Sequence, residues 1–245
     1  TGDNASCWDH LRQNVLQMPS LNMCGFLFSG ADTGGFGGNA SRELLLRWLA
    51  VSAFTPLFRD HASKGTRPQE CFRFRGKKDF RSILSLRYRL LPYIYSEFMK
   101  AALSFDMYMQ PLAFGYPQDS RARRVEDELL VGGSLLIAPV LEKGAKGRLV
   151  YLPEAMTEVR WDGASFSARQ AAAGEHFVKV PLGEVVFYIR KGKLLPVGGA
   201  AMHTGECDLS AVTLLGDGEE YEQYLDDGLT RSVSEGNIRL LRRQG

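Results

Sequence analysis

Asp3, Asp32 and the run Arg59-Asp60-His61 are the residues whose types and spacing could do chemistry. Each follows or ends a short segment that leads into a turn. Asp32 lies inside Gly30-Ala31-Asp32-Thr33-Gly34-Gly35-Phe36-Gly37-Gly38-Asn39, which follows the apolar run Cys24-Gly25-Phe26-Leu27-Phe28. Taken singly, each has a bland reading. Asp after Gly is a common turn residue, and a lone His is more often surface or core than ligand. Their joint placement is what raises them. Strand ends of an α/β barrel share one face, so Asp3, Asp32 and His61 would converge there. Acids, one His, an Arg and the aromatics Phe36 and Phe58 suit a sugar: carboxylates accept from hydroxyls, and an aromatic face packs on the ring. Glycoside hydrolysis typically uses two carboxylates with separate roles.

Other chemistries fit poorly. Neither the dinucleotide nor the P-loop glycine spacing occurs, and no Lys follows the Gly-rich turn. A Ser nucleophile elbow is absent, and no His has a partner at i+4 for a metal. The net charge of +2 does not mark a nucleic-acid protein. Basic runs such as Arg121-Ala122-Arg123-Arg124 are short and lack interleaved aromatics. The longest apolar runs fall far short of the ~20 residues that cross a bilayer, and no signal-like start is present. The four cysteines, Cys7, Cys24, Cys71 and Cys207, lack metal-ligand spacing. They read as free buried thiols of a reducing compartment, although Cys24 and Cys71 could still meet in space.

The elements that must position these residues alternate in the first half. A capping box at Ser6-Cys7-Trp8-Asp9 starts a helix that Pro19 should end near Met18. Cys24 to Ser29 reads as a buried parallel strand. Ser41 to Phe54 is an amphipathic helix, followed by the short apolar run Pro56-Leu57-Phe58. A loop of about 15 residues from Ala62 to Gly76 has the length of a functional one. A long helix from Lys77 to Leu103 should be kinked or split at Pro92. Such alternation predicts a parallel sheet with crossover helices. At roughly three βα units the segment is too short for a closed barrel of about 250 residues.

After Asp106 the helical period vanishes. Strand-like runs follow at Met107 to Phe114, Ser134 to Val140, Arg148 to Pro153, Val159 to Trp161, Phe177 to Val180 and Val185 to Ile189. Their spacing predicts a β-sandwich. Gly198-Gly199 reads as a joint, with three more strands beyond it at Val212 to Leu215, Glu222 to Leu225 and Ile238 to Leu241.

The motifs together resemble glycoside hydrolase family 31, the α-glucosidases and α-xylosidases. The resemblance rests on Thr1-Gly2-Asp3-Asn4, Gly30-Ala31-Asp32-Thr33-Gly34-Gly35-Phe36, Arg47-Trp48, Ala53-Phe54-Thr55-Pro56-Leu57-Phe58-Arg59-Asp60-His61 and Leu86-Arg87-Tyr88-Arg89-Leu90-Leu91-Pro92-Tyr93. Pro111-Leu112, Leu135-Leu136-Ile137-Ala138-Pro139-Val140, Ile189-Arg190-Lys191-Gly192 and Asp226-Asp227-Gly228 are similar to that family's C-terminal β-domains. It implies an α/β plus all-β chain. Residues 1–105 would be the last βα units of a TIM (β/α)8 barrel, 106–197 a proximal β-sandwich domain and 198–245 a short distal β-domain.

By the same resemblance Asp3 is the general acid/base of a retaining α-glucosidase. Asp32 and Phe36 line the glycone subsite, Arg59 orients Asp32, and His61 contacts sugar hydroxyls. Asp60 departs from the Asn that many members carry. The family's nucleophile, an Asp on an earlier strand, is not in this chain, so the isolated chain is expected to be inactive. The alternatives are an α-xylosidase or transglucosidase of the same family, or a non-catalytic carbohydrate-binding or structural β-module. The resemblance implies no cofactor and no metal. The implied partners are an α-linked oligosaccharide or glucose and the N-terminal remainder of the enzyme, with no nucleic acid and no membrane. A homo-oligomer stays open, and a cytoplasmic, bacterial location is expected.

Overall fold

The computed structural model describes residues 3–243. Thr1 and Gly2, which open the first quoted motif, lie outside the described residues. Helix α1 is Trp8–Met23, and its buried stripe is Leu11, Val15 and Met18. Two sequence expectations fail here. Ser6 is not the N-cap: Cys7 takes that position without a side-chain cap, while Ser6 donates its backbone N–H to the Gly37 carbonyl at 2.7 Å. Pro19 lies inside the helix rather than after it. A mid-helix Pro costs about 3 kcal/mol, but the last turn is held by tertiary contacts. Asn22, 3% exposed, accepts from the Met109 N–H at 2.8 Å and donates to Ser29 Oγ at 3.2 Å.

The segment 24–29 opens on a turn at Cys24 and Gly25 and continues as irregular chain outside any strand. Phe26 and Phe28 are 66% and 68% exposed, against the expectation of a strand buried on both faces. A parallel strand is buried only when both neighbours and covering helices are present, and here the Ser29 carbonyl accepts only at the end of the run, from Leu57 N–H at 3.2 Å. Parallel pairing survives as two isolated bridges, Ala5 with Gly37 and Asp32 with Arg59.

Helix α2, Arg42–Ser52, starts at Ser41, whose hydroxyl accepts from the Leu44 N–H at 3.2 Å. Helix α3, Lys77–Ser104, is one continuous helix with Pro92 inside it. Arg87 of α3 donates to the carbonyls of Ala53, Thr55 and Pro56 at 3.2, 2.5 and 3.0 Å. Those bonds anchor the chain that runs from the end of α2 toward Arg59.

The rest is β. Strands β1 (Met109–Pro111), β2 (Leu129–Val131), β3 (Leu135–Ile137), β4 (Gly147–Leu152), β5 (Met156–Trp161), β6 (Phe166–Ala171), β7 (Gly174–Lys179) and β8 (Val185–Ile189) come first. They form a six-stranded antiparallel sheet in the order β1-β2-β3-β8-β5-β6 and a separate β4–β7 ribbon. The expected long strand over 107–114 is shorter, because Leu112–Gly115 turns helical. Strand β6 escaped the sequence reading because its edge position leaves it mostly exposed and polar.

The inner strands β2, β3 and β8 are buried along their whole length and apolar throughout, so the middle of the sheet is covered on both faces. Leu135, Ile137, Phe187 and Ile189 join Leu45, Trp48, Leu86 and Leu90 of the helices in one core. Leu136, Val186 and Tyr188 pack the other way, onto Val150, Leu152 and Val178 of the ribbon. Strands β9 (Leu194–Gly198) and β10 (Val212–Gly216) pair across Gly199, and β11 (Glu220–Tyr224) pairs with β12 (Ile238–Arg242). Glu97 of α3 accepts from Tyr221 Oη at 2.7 Å and from the Gly133 N–H at 2.7 Å, so one helix carries both β pieces.

Candidate active site

The site is assembled at three chain segments brought side by side by the two parallel bridges. Asp3 is exposed and adopts φ 58, a left-handed conformation uncommon outside glycine. Asn4, 6% exposed, links it to the Gly-rich turn. Its amide donates to the Asp32 carbonyl at 3.1 Å, and its side-chain oxygen accepts from the Phe36 N–H at 2.9 Å. The contact is close because Gly35, at φ +95, presents no Cβ; one would sit 2.4 Å from Ser6 N.

Asp32 is 1% exposed. Arg59 donates to its Oδ1 through Nε at 2.7 Å, and its Nη2 lies 2.5 Å from the same oxygen as an ion pair. The Thr33 N–H to Arg59 carbonyl bond, 2.8 Å, fixes the register that makes this pair. Asp32 Oδ2 is buried without a hydrogen-bond partner among the described residues. Phe36 and His61 stack, with centroids 5.3 Å apart and planes tilted by 31°. The Phe36 carbonyl accepts from the Ser63 N–H at 2.8 Å, which holds the chain beyond His61 against the turn.

Asp32, Arg59, Phe36 and His61 therefore form one cluster, with Asp3 on the adjoining segment through Asn4. Phe58 does not belong to it. Its ring packs under Arg87, 5.4 Å from centroid to guanidinium carbon. It lines an apolar groove of about 810 Å³ with Phe28, Leu57, Phe72 and Leu84, and none of the four clustered residues lines that groove. The four cysteines are free, but none is buried as expected: Cys24 is exposed, and Cys7, Cys71 and Cys207 are half-buried. Asp60 faces Gln69 and Cys71. Loss of hydration there pushes its carboxyl up to about 6, although the residue as a whole is exposed. The Cys71 thiol is pushed up to about 11 by burial and then by the Asp60 charge.

Comparison with known proteins decides the family. Residues 1–97 match the model of the glycosyl hydrolases family 31 TIM-barrel domain, and residues 106–195 match that of the glycosyl hydrolase family 31 C-terminal domain. The chain belongs to glycoside hydrolase family 31. Among family relatives, Alpha-glucosidase 2 of Bacillus thermoamyloliquefaciens is 34% identical over 97% of this chain and 30% of its own length. Lysosomal alpha-glucosidase of Mus musculus is 34% identical over 96% of this chain and 27% of its own length. Among solved structures, the glucosidase II alpha subunit (Glc1Man2-bound form) superposes with a TM-score of 0.85 at 28% identity, over 98% of this chain and 27% of that one. The chain thus spans less than a third of the length of these family 31 relatives.

Three site residues carried no signal of chemistry in the sequence: Asn4, Gln69 and Arg87. Each holds backbone groups in place rather than offering a charge to a ligand. Arg87 could have been picked out as a charged residue on the apolar stripe of α3, since a buried guanidinium needs acceptors. Among the described residues no helix is long and apolar enough to cross a membrane.

Proposed function

We propose that this chain supplies one wall of the active site of a retaining α-glucosidase. The observation that carries the reading is the Asp32–Arg59 pair beside the Phe36–His61 stack, one bridged segment away from Asp3, in a family 31 chain. Asp3 is the general acid/base. Neutral, it gives its proton to the glycosidic oxygen as the bond breaks; ionised, it takes a proton from the water that attacks the glycosyl intermediate. Arg59 fixes the Asp32 carboxylate through one oxygen. The other oxygen, Oδ2, is buried and has no partner among the described residues. Phe36 offers the ring face and His61 a hydrogen bond. The nucleophile comes from the remainder of the enzyme.

That remainder is the proposed macromolecular partner. Its contact surface is supported by exposed Phe26 and Phe28 and by the apolar groove next to them. The proposed division is residues 1–105 as barrel, 106–197 as proximal sandwich and 198–245 as distal β-domain.

The test is Asp3→Asn in the complete enzyme. Hydrolysis of α-glucosides with poor leaving groups should slow by about 10²–10⁴-fold, while activated aryl α-glucosides, which need no acid help, lose much less. Equal losses on both would sink the assignment of Asp3. Parallel assays on α-xylosides tell a glucosidase from a xylosidase. The isolated 245-residue chain should show no turnover of either, and measurable α-glucoside hydrolysis by it would overturn the placement of the nucleophile elsewhere.

A further inference from the structure

Gln69 sits midway along the loop between His61 and α3, and it is 5% exposed. Its amide nitrogen faces three oxygens on two segments of the site. It donates to the Thr33 carbonyl at 2.9 Å, the Gly35 carbonyl at 3.2 Å and Asp60 Oδ1 at 3.2 Å. Three acceptors on that side fix the amide orientation, because a flipped amide would set oxygen against oxygen. The turn is shaped to receive it. A Cβ on Gly34 would lie 3.0 Å from both Gln69 Cδ and Nε2.

We propose that Gln69 is a positioning residue: a latch that ties the Asp32–Phe36 turn to Asp60 and so fixes His61 against Phe36. The sugar named as ligand below rests on the α-glucosidase reading, but the latch itself does not. An NH2 group has two hydrogens for these three acceptors, so the Asp60 bond competes with the two carbonyls. A carboxylate competes well, and a protonated carboxyl competes poorly. The latch is therefore closed with Asp60 ionised and slackens as Asp60 takes up a proton. The groups acting on Asp60 are Gln69, Glu70 and His61, with the Cys71 thiol 4.0 Å from its Oδ2. Desolvation places its titration near pH 6, and the Gln69 bond holds it down from a higher value.

The test uses the full chain and NMR titration from pH 4 to 8. In the wild type the Asp60 carboxyl, the Gln69 side-chain amide and the Gly35 amide should share one midpoint near 6. Gln69→Met fills the same space without donors. It should raise the Asp60 midpoint by about half a pH unit or more and shift the Phe36 and His61 ring resonances. An unmoved Asp60 midpoint with unmoved rings would overturn the proposal. Should Gln69→Met not fold, Asp60→Asn decides: the variant keeps an acceptor but cannot ionise, so the shared transition at Gln69 and Gly35 should vanish, and its persistence would overturn the latch. Methyl α-D-glucopyranoside, added in each case, separates the two readings. If it fails to perturb the wild-type Phe36 and His61 resonances, the sugar wall is in doubt, while the Asp60 titration still decides the latch.

Discussion

Asp32 is a buried carboxylate whose one ionic partner among the described residues, Arg59, is itself half exposed. Removing that partner leaves charge in a site that water does not reach, and such orphaned charges are costly. Arg59→Met should therefore lower stability by about 2 kcal/mol or more, read as a shift of the urea midpoint. Arg59→Lys should recover part of it, because the charge beside the buried carboxylate is kept while the Nε hydrogen bond is lost. Variants indistinguishable from wild type would mean the pair is not holding Asp32. The pair was legible only through the family resemblance, since an acid in a glycine turn and an Arg-x-His run do not by type alone name each other as partners. Asn4 and Gln69 were not. An amide that satisfies buried backbone groups has no local signature, because its partners lie 28 to 36 residues away.

At the scale of the element, the Gly-rich turn packs against the 4–6 segment so closely that its glycines differ in what they tolerate. Gly34, Gly35 and Gly38 all adopt positive φ, at +89, +95 and +93. An alanine at Gly38 would meet only ordinary contacts, the nearest being Ser6 Cβ at 3.6 Å, so the cost is the left-handed backbone alone, roughly 1–2 kcal/mol. At Gly34 the Cβ would press on Leu45 Cδ1 at 2.8 Å and on Gln69, side chains that can give way. At Gly35 it would strike Ser6 N at 2.4 Å and the Ala5 carbonyl carbon at 2.6 Å, which are backbone. Thermal unfolding of the three variants should rank Gly38→Ala mildest and Gly35→Ala most severe, and any other order would contradict this packing. The helices were readable because α2 carries both its stripe and its cap. The 24–29 run was misread because apolarity marks a surface to be covered, not the neighbour that covers it. Ser6 was misread because a capping box is a pattern of types, while its N–H went to Gly37 instead.

Across the whole molecule the change from alternating elements to consecutive strands was legible, but not how the two halves grip. Besides the shared apolar core, they meet in a line of charges: Arg12 of α1 lies 3.6 Å from Asp127, which pairs with Arg148 at 2.9 Å, which in turn reaches Glu128 at 3.3 Å. Glu128 is 2% exposed, and its Oε2 has no partner among the described residues. Burial pushes its carboxyl up to about 7, against the opposing pull of the Tyr151 N–H and Arg148. Between the ordinary Glu value near 4.5 and about 7, the folded chain holds a proton that the unfolded chain has released. Its contribution therefore favours the fold below that window and is lost as pH rises through it. Glu128→Gln keeps an oxygen for the Tyr151 N–H and removes the charge. The variant should be more stable than wild type at pH 7.5, by at most about 3 kcal/mol, with the difference shrinking toward pH 4.5. Urea unfolding of both proteins across that range measures it. A variant less stable at pH 7.5 would mean instead that the Arg148–Glu128 ion pair outweighs the cost of burying the carboxylate.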